Sequence, residues 1–145
     1  TIPKATIYQN PVSALDIFVT TCALAKVKLP KDREFDGVNL IPYLLDSNYI
    51  NKKPHEALYW RSEYHKAIRK EDWKLIQDDF VKRTMLYNIK NDKEEKNNVA
   101  LKYPEVVNDL QNDFRNWEKK LIKSNWPRVM DYEIHDGKAV YYFPL

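Results

Sequence analysis

Apolar positions fall into three kinds of pattern along the chain, and each predicts a different element. Leu15, Phe18, Cys22 and Ala25 recur at spacings of three and four, which predicts an amphipathic helix over about 13–26. The segment 13-SALD-16 has the spacing of a capping box, with Ser13 accepting from the backbone at Asp16 and the Asp16 carboxylate reaching back; Val12 and Ile17 stand at the staple positions. A loop through Phe35 and a turn at Asp36-Gly37 lead into 38-VNLIPYLL-45, read as a short apolar helix interrupted by Pro42. The pattern then changes to short strand-like runs: 57-ALYWR-61, 63-EYHKAIR-69, 73-WKLIQDD-79 and 84-TMLYNI-89. Their connections are short enough for hairpins, so an antiparallel meander over about 57–89 is expected. After the polar loop 90-KNDKEEKNN-98, Pro104 opens a helix to about Lys123, with Val107, Leu110, Phe114, Trp117 and Leu121 on one stripe. Asp136-Gly137, between 132-YEIH-135 and 138-KAVYYF-143, signals a two-residue hairpin in the tail. The fold class predicted is α+β: a four-stranded antiparallel sheet covered by one long helix.

Composition narrows the function classes. With 145 residues, 43% hydrophobic and 31% charged, the chain is sized for a single globular domain. No apolar run approaches the roughly 18 residues of a membrane span, and no leader pattern precedes the first helix. The chain begins at Thr1 without Met, so a piece of something longer is expected. Only two glycines, Gly37 and Gly137, are present, which excludes glycine-rich phosphate loops. The single cysteine, Cys22, permits no internal disulfide and reads as a small apolar residue on the first helix.

Catalytic chemistry has little foothold. His55, His65 and His135 have no histidine neighbour at a spacing of three or four, so no zinc site is suggested. Asp78-Asp79 would point to opposite faces of a strand and could not chelate calcium alone. Ser13, Ser47, Ser62 and Ser124 lie outside any nucleophile-elbow pattern. The ribbon 59-YWRSEYHKAIRKEDWKLI-76 is rich in aromatic and basic residues, yet Lys52–Arg83 holds nine Lys/Arg against six Asp/Glu. That is no concentrated nucleic-acid stripe, and long cations beside a sheet commonly lie along its rings with their heads in water.

The order of the segments resembles the C-terminal part of the type I sulfatases, the formylglycine-dependent sulfuric ester hydrolases of the alkaline-phosphatase-like fold. Four blocks carry the likeness. The block 12-VSALDIFVTTCALAKV-27 is similar to V-S-x-x-D-I-x-P-T, with Val19 where proline is usual. Next come 36-DGVNLIPYL-44, similar to D-G-x-x-L-x-P-x-L, and 54-PHEALYWR-61 with 67-AIRKEDWKLI-76, similar to the family's strand pair ending in an arginine, a turn and W-K-L-I. The last, 86-LYNIKNDKEEKNNVA-100, is similar to L-Y-D-L-x-x-D-P-x-E-x-x-N-L-A, with Asn88, Lys93 and Val99 departing from it. The tail beyond Trp126 matches nothing in the family.

The resemblance implies a division of the chain and a set of missing parts. Residues 1–50 would be a remnant of the large α/β domain, and 51–145 the small C-terminal subdomain with a tail hairpin over 132–143. The helix at 13–26 would then expose its apolar stripe. The family's nucleophile is a formylglycine made in a C/S-x-P/A-x-R motif, and a calcium ion neutralises the sulfate oxygens. Both are expected upstream in a parent enzyme. Here 22-CALAK-26 and 124-SNWPR-128 fail the motif, so neither Cys22 nor Ser124 is a modification site, and no catalytic or metal-binding residue is expected in this chain. The resemblance implies an upstream large domain as partner, a sulfated small molecule or glycan as substrate, no nucleic acid, and a periplasmic or secreted parent. Within it, Arg61 and His65 are the candidate substrate-binding groups, because cationic donors suit sulfate or uronate oxygens. The alternative is a free-standing β-ribbon module that binds nucleic acid or another polyanion by stacking and charge.

Overall fold

The computed structural model describes residues 5, 7–45, 52–122, 131–135 and 140–144. The chain divides into two compact units, Thr1–Leu58 and Tyr59–Leu145.

The first unit holds α1 (Asp16–Leu24) and α2 (Ile41–Leu45). The capping box forms only in part. Asp16 reaches back to the Ser13 backbone N–H at 2.7 Å, but the Ser13 hydroxyl accepts from the Leu15 N–H at 3.2 Å, so the helix starts at Asp16. It ends where Lys26 turns left-handed, with φ 56°, and the Val27 N–H closes back on the Cys22 carbonyl at 2.9 Å. The expected apolar stripe is not the buried one. Asp16 and Val19 are buried, whereas Leu15 and Phe18 are more than half exposed and Cys22 is half-buried. Phe35 stacks on Phe18 with ring centroids 5.7 Å apart, while Leu15 stays open among the described residues. Pro42 interrupts nothing, because α2 begins at Ile41 and proline is its second residue, where no backbone N–H is needed. The preceding residues run instead as an extended stitch along α1: the Leu40 N–H donates to the Thr20 hydroxyl at 3.0 Å.

The meander appears as β1 (Ala57–Ser62), β2 (His65–Lys70), β3 (Trp73–Asp78) and β4 (Arg83–Asn88), a sheet in the order β1-β2-β3-β4 that belongs to the second unit from Tyr59 onward. Glu63, Glu71 and Lys82 take positive φ of 49–53° at the three turns, a conformation asparagine or glycine adopts at less cost. Antiparallel register aligns Ile68, Leu75 and Leu86 in one row across the sheet, and all three are at most 1% exposed. The long helix, α3 (Pro104–Glu118), packs on this sheet and buries Leu110 and Phe114. Each of these buried side chains contributes about 2 kcal/mol by leaving water, which makes the row and the stripe the unit's core. The helix stops near Glu118 rather than Lys123. Trp73 packs on Tyr103, ring centroids 5.1 Å apart, whereas Trp60 on β1 is 49% exposed.

The free edge of β4 is covered by its own return loop. Asn98 accepts from the Leu86 N–H at 3.0 Å and donates to the Thr84 carbonyl at 3.2 Å, while the Val99 N–H reaches the Leu86 carbonyl at 2.9 Å. Asp92 shapes that loop by accepting from the Lys96 and Asn97 N–H groups, and these bonds hold its carboxyl below the usual range.

The tail forms β5 (Asp131–His135) and β6 (Val140–Pro144), a separate antiparallel pair. Its register sets His135 opposite Val140, so four residues lie between the strands instead of the two expected at Asp136-Gly137. The shift is by two positions, which leaves the period-two alternation unchanged and so invisible to it. Residues 136–139 themselves lie outside those described.

Candidate functional site

The two sequence-predicted groups do not converge. Arg61 reaches toward α3: its Nη2 donates to the Ile122 carbonyl at 3.3 Å and its Nη1 lies 3.5 Å from Glu118. Lys66 meets the same Glu118 carboxylate at 3.5 Å, so Arg61 and Lys66 share the α3 face of the sheet. His65, one residue from Lys66 on β2, points to the other face. There its Nε2 sits 3.3 Å from Asp78, its register partner on β3. Asp78 is 4% exposed and also accepts from the N–H groups of Phe80 and Val81 at 2.9 and 3.1 Å, which fixes the turn into β4.

The ribbon's cations are largely neutralised within the unit. Lys66 bridges Asp79 at 3.0 Å and Glu118; burial opposes its charge, but these two carboxylates outweigh burial and raise its pKa. Lys70 pairs with Asp113 of α3 at 2.6 Å, and that hydrogen bond raises its pKa in turn. Lys74 pairs with Glu95 at 2.5 Å. Tyr59 stacks on Trp117 with ring centroids 4.8 Å apart, and burial, reinforced by Asp113, pushes its phenol up. These contacts use the basic residues to fasten α3 and the return loop to the sheet. Beside α3, Lys66, Gln77, Asp79, Arg115 and Glu118 line an open, mixed-charge cleft of about 180 Å³.

The first unit contains a polar centre that spacing alone did not reveal. Asp16 is fully buried, and its carboxylate accepts from the Ser13 N–H, from the Val38 N–H at 2.9 Å and from His55 Nε2 at 2.9 and 3.0 Å. Burial works against the charge, yet the donors at Ser13, His55 and Val38 together hold its pKa below the usual value. Gly37 makes the convergence possible. A Cβ at that position would stand 2.2 Å from the Leu15 carbonyl oxygen and 3.0 Å from the Asp16 nitrogen. His55 is 39 residues from Asp16, beyond any local motif; the sequence signal was the presence of Asp16, Asp36-Gly37 and His55 in three of the segments quoted above.

No group of three or more His, Cys, Asp or Glu side chains is placed to hold a metal ion among the described residues. Cys22 lies half-buried on α1 in a sequence that does not fit a formylglycine motif, so this chain's described residues do not fit the family's nucleophile or its calcium. No helix among them is long and apolar enough to cross a membrane.

No family model matches the chain. Arylsulfatase K of Danio rerio is 32% identical over 132 residues, covering 84% of this chain and 22% of that protein. Among solved structures, Ps i-CgsB aligns with a TM-score of 0.66 at 28% identity, covering 82% of this chain and 27% of its own. BT4656, solved in complex with its substrate D-glucosamine-2-N,6-O-disulfate, aligns with a TM-score of 0.59 at 26% identity, over 72% of this chain and 23% of its own. The matched regions are the C-terminal part of those chains. The chain spans about a quarter of the length of the curated relatives it matches.

Proposed function

We propose that this chain, a member of the sulfatase family that corresponds to the C-terminal part of its relatives, completes a sulfuric ester hydrolase acting on a sulfated sugar. The observation that carries this reading is the likeness to an arylsulfatase over most of the chain, joined by structural likeness to a protein solved with a disulfated sugar. The chemistry of sulfate ester cleavage is supplied by a formylglycine and a calcium ion held elsewhere in the parent protein. This chain's share is structural, together with part of the substrate pocket.

The sheet offers two faces for that share, and the contacts favour one. Arg61 and Lys66 on the α3 face are engaged with Glu118, so that face serves to hold the helix. The opposite face carries His65, whose Nε2 lies 3.3 Å from Asp78, so a substrate oxygen there would meet the imidazole as one member of a His65–Asp78 pair. We assign the pocket role to His65 and a fastening role to Arg61. A free-standing polyanion binder is disfavoured because Arg61, Lys66, Lys70 and Lys74 already have carboxylate partners.

Two observations on the parent protein test the reading. Its coding sequence should contain C/S-x-P/A-x-R upstream of Thr1, and mass spectrometry should find formylglycine at the first residue of that motif. A parent whose upstream sequence lacks the motif would refute a formylglycine-dependent sulfatase.

A further inference from the structure

Arg69 stands apart from the other strand cations. It occupies the face of β2 opposite α3, the same face as His65. Arg61, Lys66, Lys70 and Lys74 each have a carboxylate within 4 Å, and Arg83 lies opposite Asp78. Arg69 has no such partner among the described residues. Its Nε is buried and has no acceptor. The residue directly across the ladder is another cation, Lys74, whose charge is taken up by Glu95 at 2.5 Å. A like charge opposite is unfavourable, and an unsatisfied, partly desolvated guanidinium nitrogen is costly to keep. Arginine is also the side chain whose rigid fork of donors fits a carboxylate or sulfate in two-point contact.

We propose that Arg69 is an oxyanion-binding residue whose partner comes from outside this chain's described residues: a second, non-reacting sulfate or carboxylate of the substrate. This rests on the sulfated-sugar reading above. A substrate with two anionic groups presents one to the reacting centre, and the other must be held by a cation that takes no part in the chemistry. Arg69, on the His65 face and lacking a carboxylate of its own, has the properties such a holder needs. The same oxyanion chemistry could be met instead by an acidic side chain of the parent protein, and the two sources give different results.

The test uses the full parent protein as wild type, Arg69→Gln and Arg69→Lys. Calorimetric titration with a disulfated hexosamine and with its monosulfated counterpart is read alongside the Tm of the ligand-free protein. If the substrate supplies the oxyanion, R69Q weakens the disulfated sugar roughly tenfold, R69K recovers part of the loss, and the monosulfated sugar and the Tm are unaffected. If R69Q lowers the Tm, R69K lowers it less and both sugars bind as before, the partner is a carboxylate of the parent and the assignment to the substrate is overturned. Unchanged Tm and unchanged affinities in R69Q, or a loss in R69Q that R69K fails to reduce, would overturn the proposal. Sulfate release by the wild-type protein is assayed separately, so a parent that is no sulfatase is distinguished from an Arg69 that binds no anion.

Discussion

Asp16 and His55, 39 residues apart, are joined by a hydrogen bond of 2.9 Å that ties the start of α1 to the segment leading into β1. Removing the carboxylate leaves the Ser13 and Val38 N–H groups and the His55 ring without their shared acceptor. Asp16→Ala should therefore lower stability by about 3 kcal/mol, read as a shift in denaturant midpoint at constant slope.

The same carboxylate predicts an acid dependence. Its folded pKa lies below the usual aspartate value of about 3.9, so the stability it contributes is fully present above that value and is lost as pH falls through the lower, folded one. Hydrogen exchange of the Val38 amide, followed from pH 6 downward as the protection relative to a remote strand amide, should fall only below about pH 4. Protection lost between pH 6 and 5 would assign the sensitivity to a different group.

Gly37 is held to glycine by space. A methyl there would meet the Leu15 backbone carbonyl at 2.2 Å, and backbone cannot swing aside as a long side chain can. Gly37→Ala should cost about 2 kcal/mol and weaken the Asp16–Val38 contact, while a matched Gly137→Ala control reports on the tail. A neutral Gly37→Ala would mean that the two segments lie farther apart.

Asn98 acts as a surrogate strand for β4. With Asn98→Ala, the Leu86 amide loses its acceptor, and stability should fall by about 1 kcal/mol. The Leu86 amide should then exchange faster than the Leu75 amide in the middle of the sheet.

The strands were legible because alternation, short polar turns and the W-K-L-I run act locally, and their bounds differ from expectation by two residues at most. The α3 stripe was legible for the same reason. On α1 the periodicity was real but misleading: Leu15 and Phe18 of the apolar stripe are more than half exposed, and the buried positions are the polar Asp16 and Val19. Asp16–His55, Lys70–Asp113 and Arg61–Glu118 join residues 39 to 57 positions apart, and no local pattern encodes such pairs. Arg61 and His65, only four residues apart in sequence, were paired as candidates by charge. They lie on opposite faces: Arg61 meets Glu118 together with Lys66, and strand alternation turns His65, the neighbour of Lys66, the other way.

The central claim is that this chain completes a sulfatase and lends the His65 face of its sheet to the substrate. Inorganic sulfate released from a sulfated hexosamine by the full parent protein, wild type beside His65→Ala, tests it most directly. The account predicts steady release by the wild type, with His65→Ala raising KM several-fold at nearly unchanged kcat. No release by a wild-type parent carrying its formylglycine, or a His65→Ala variant with unaltered KM, would contradict it.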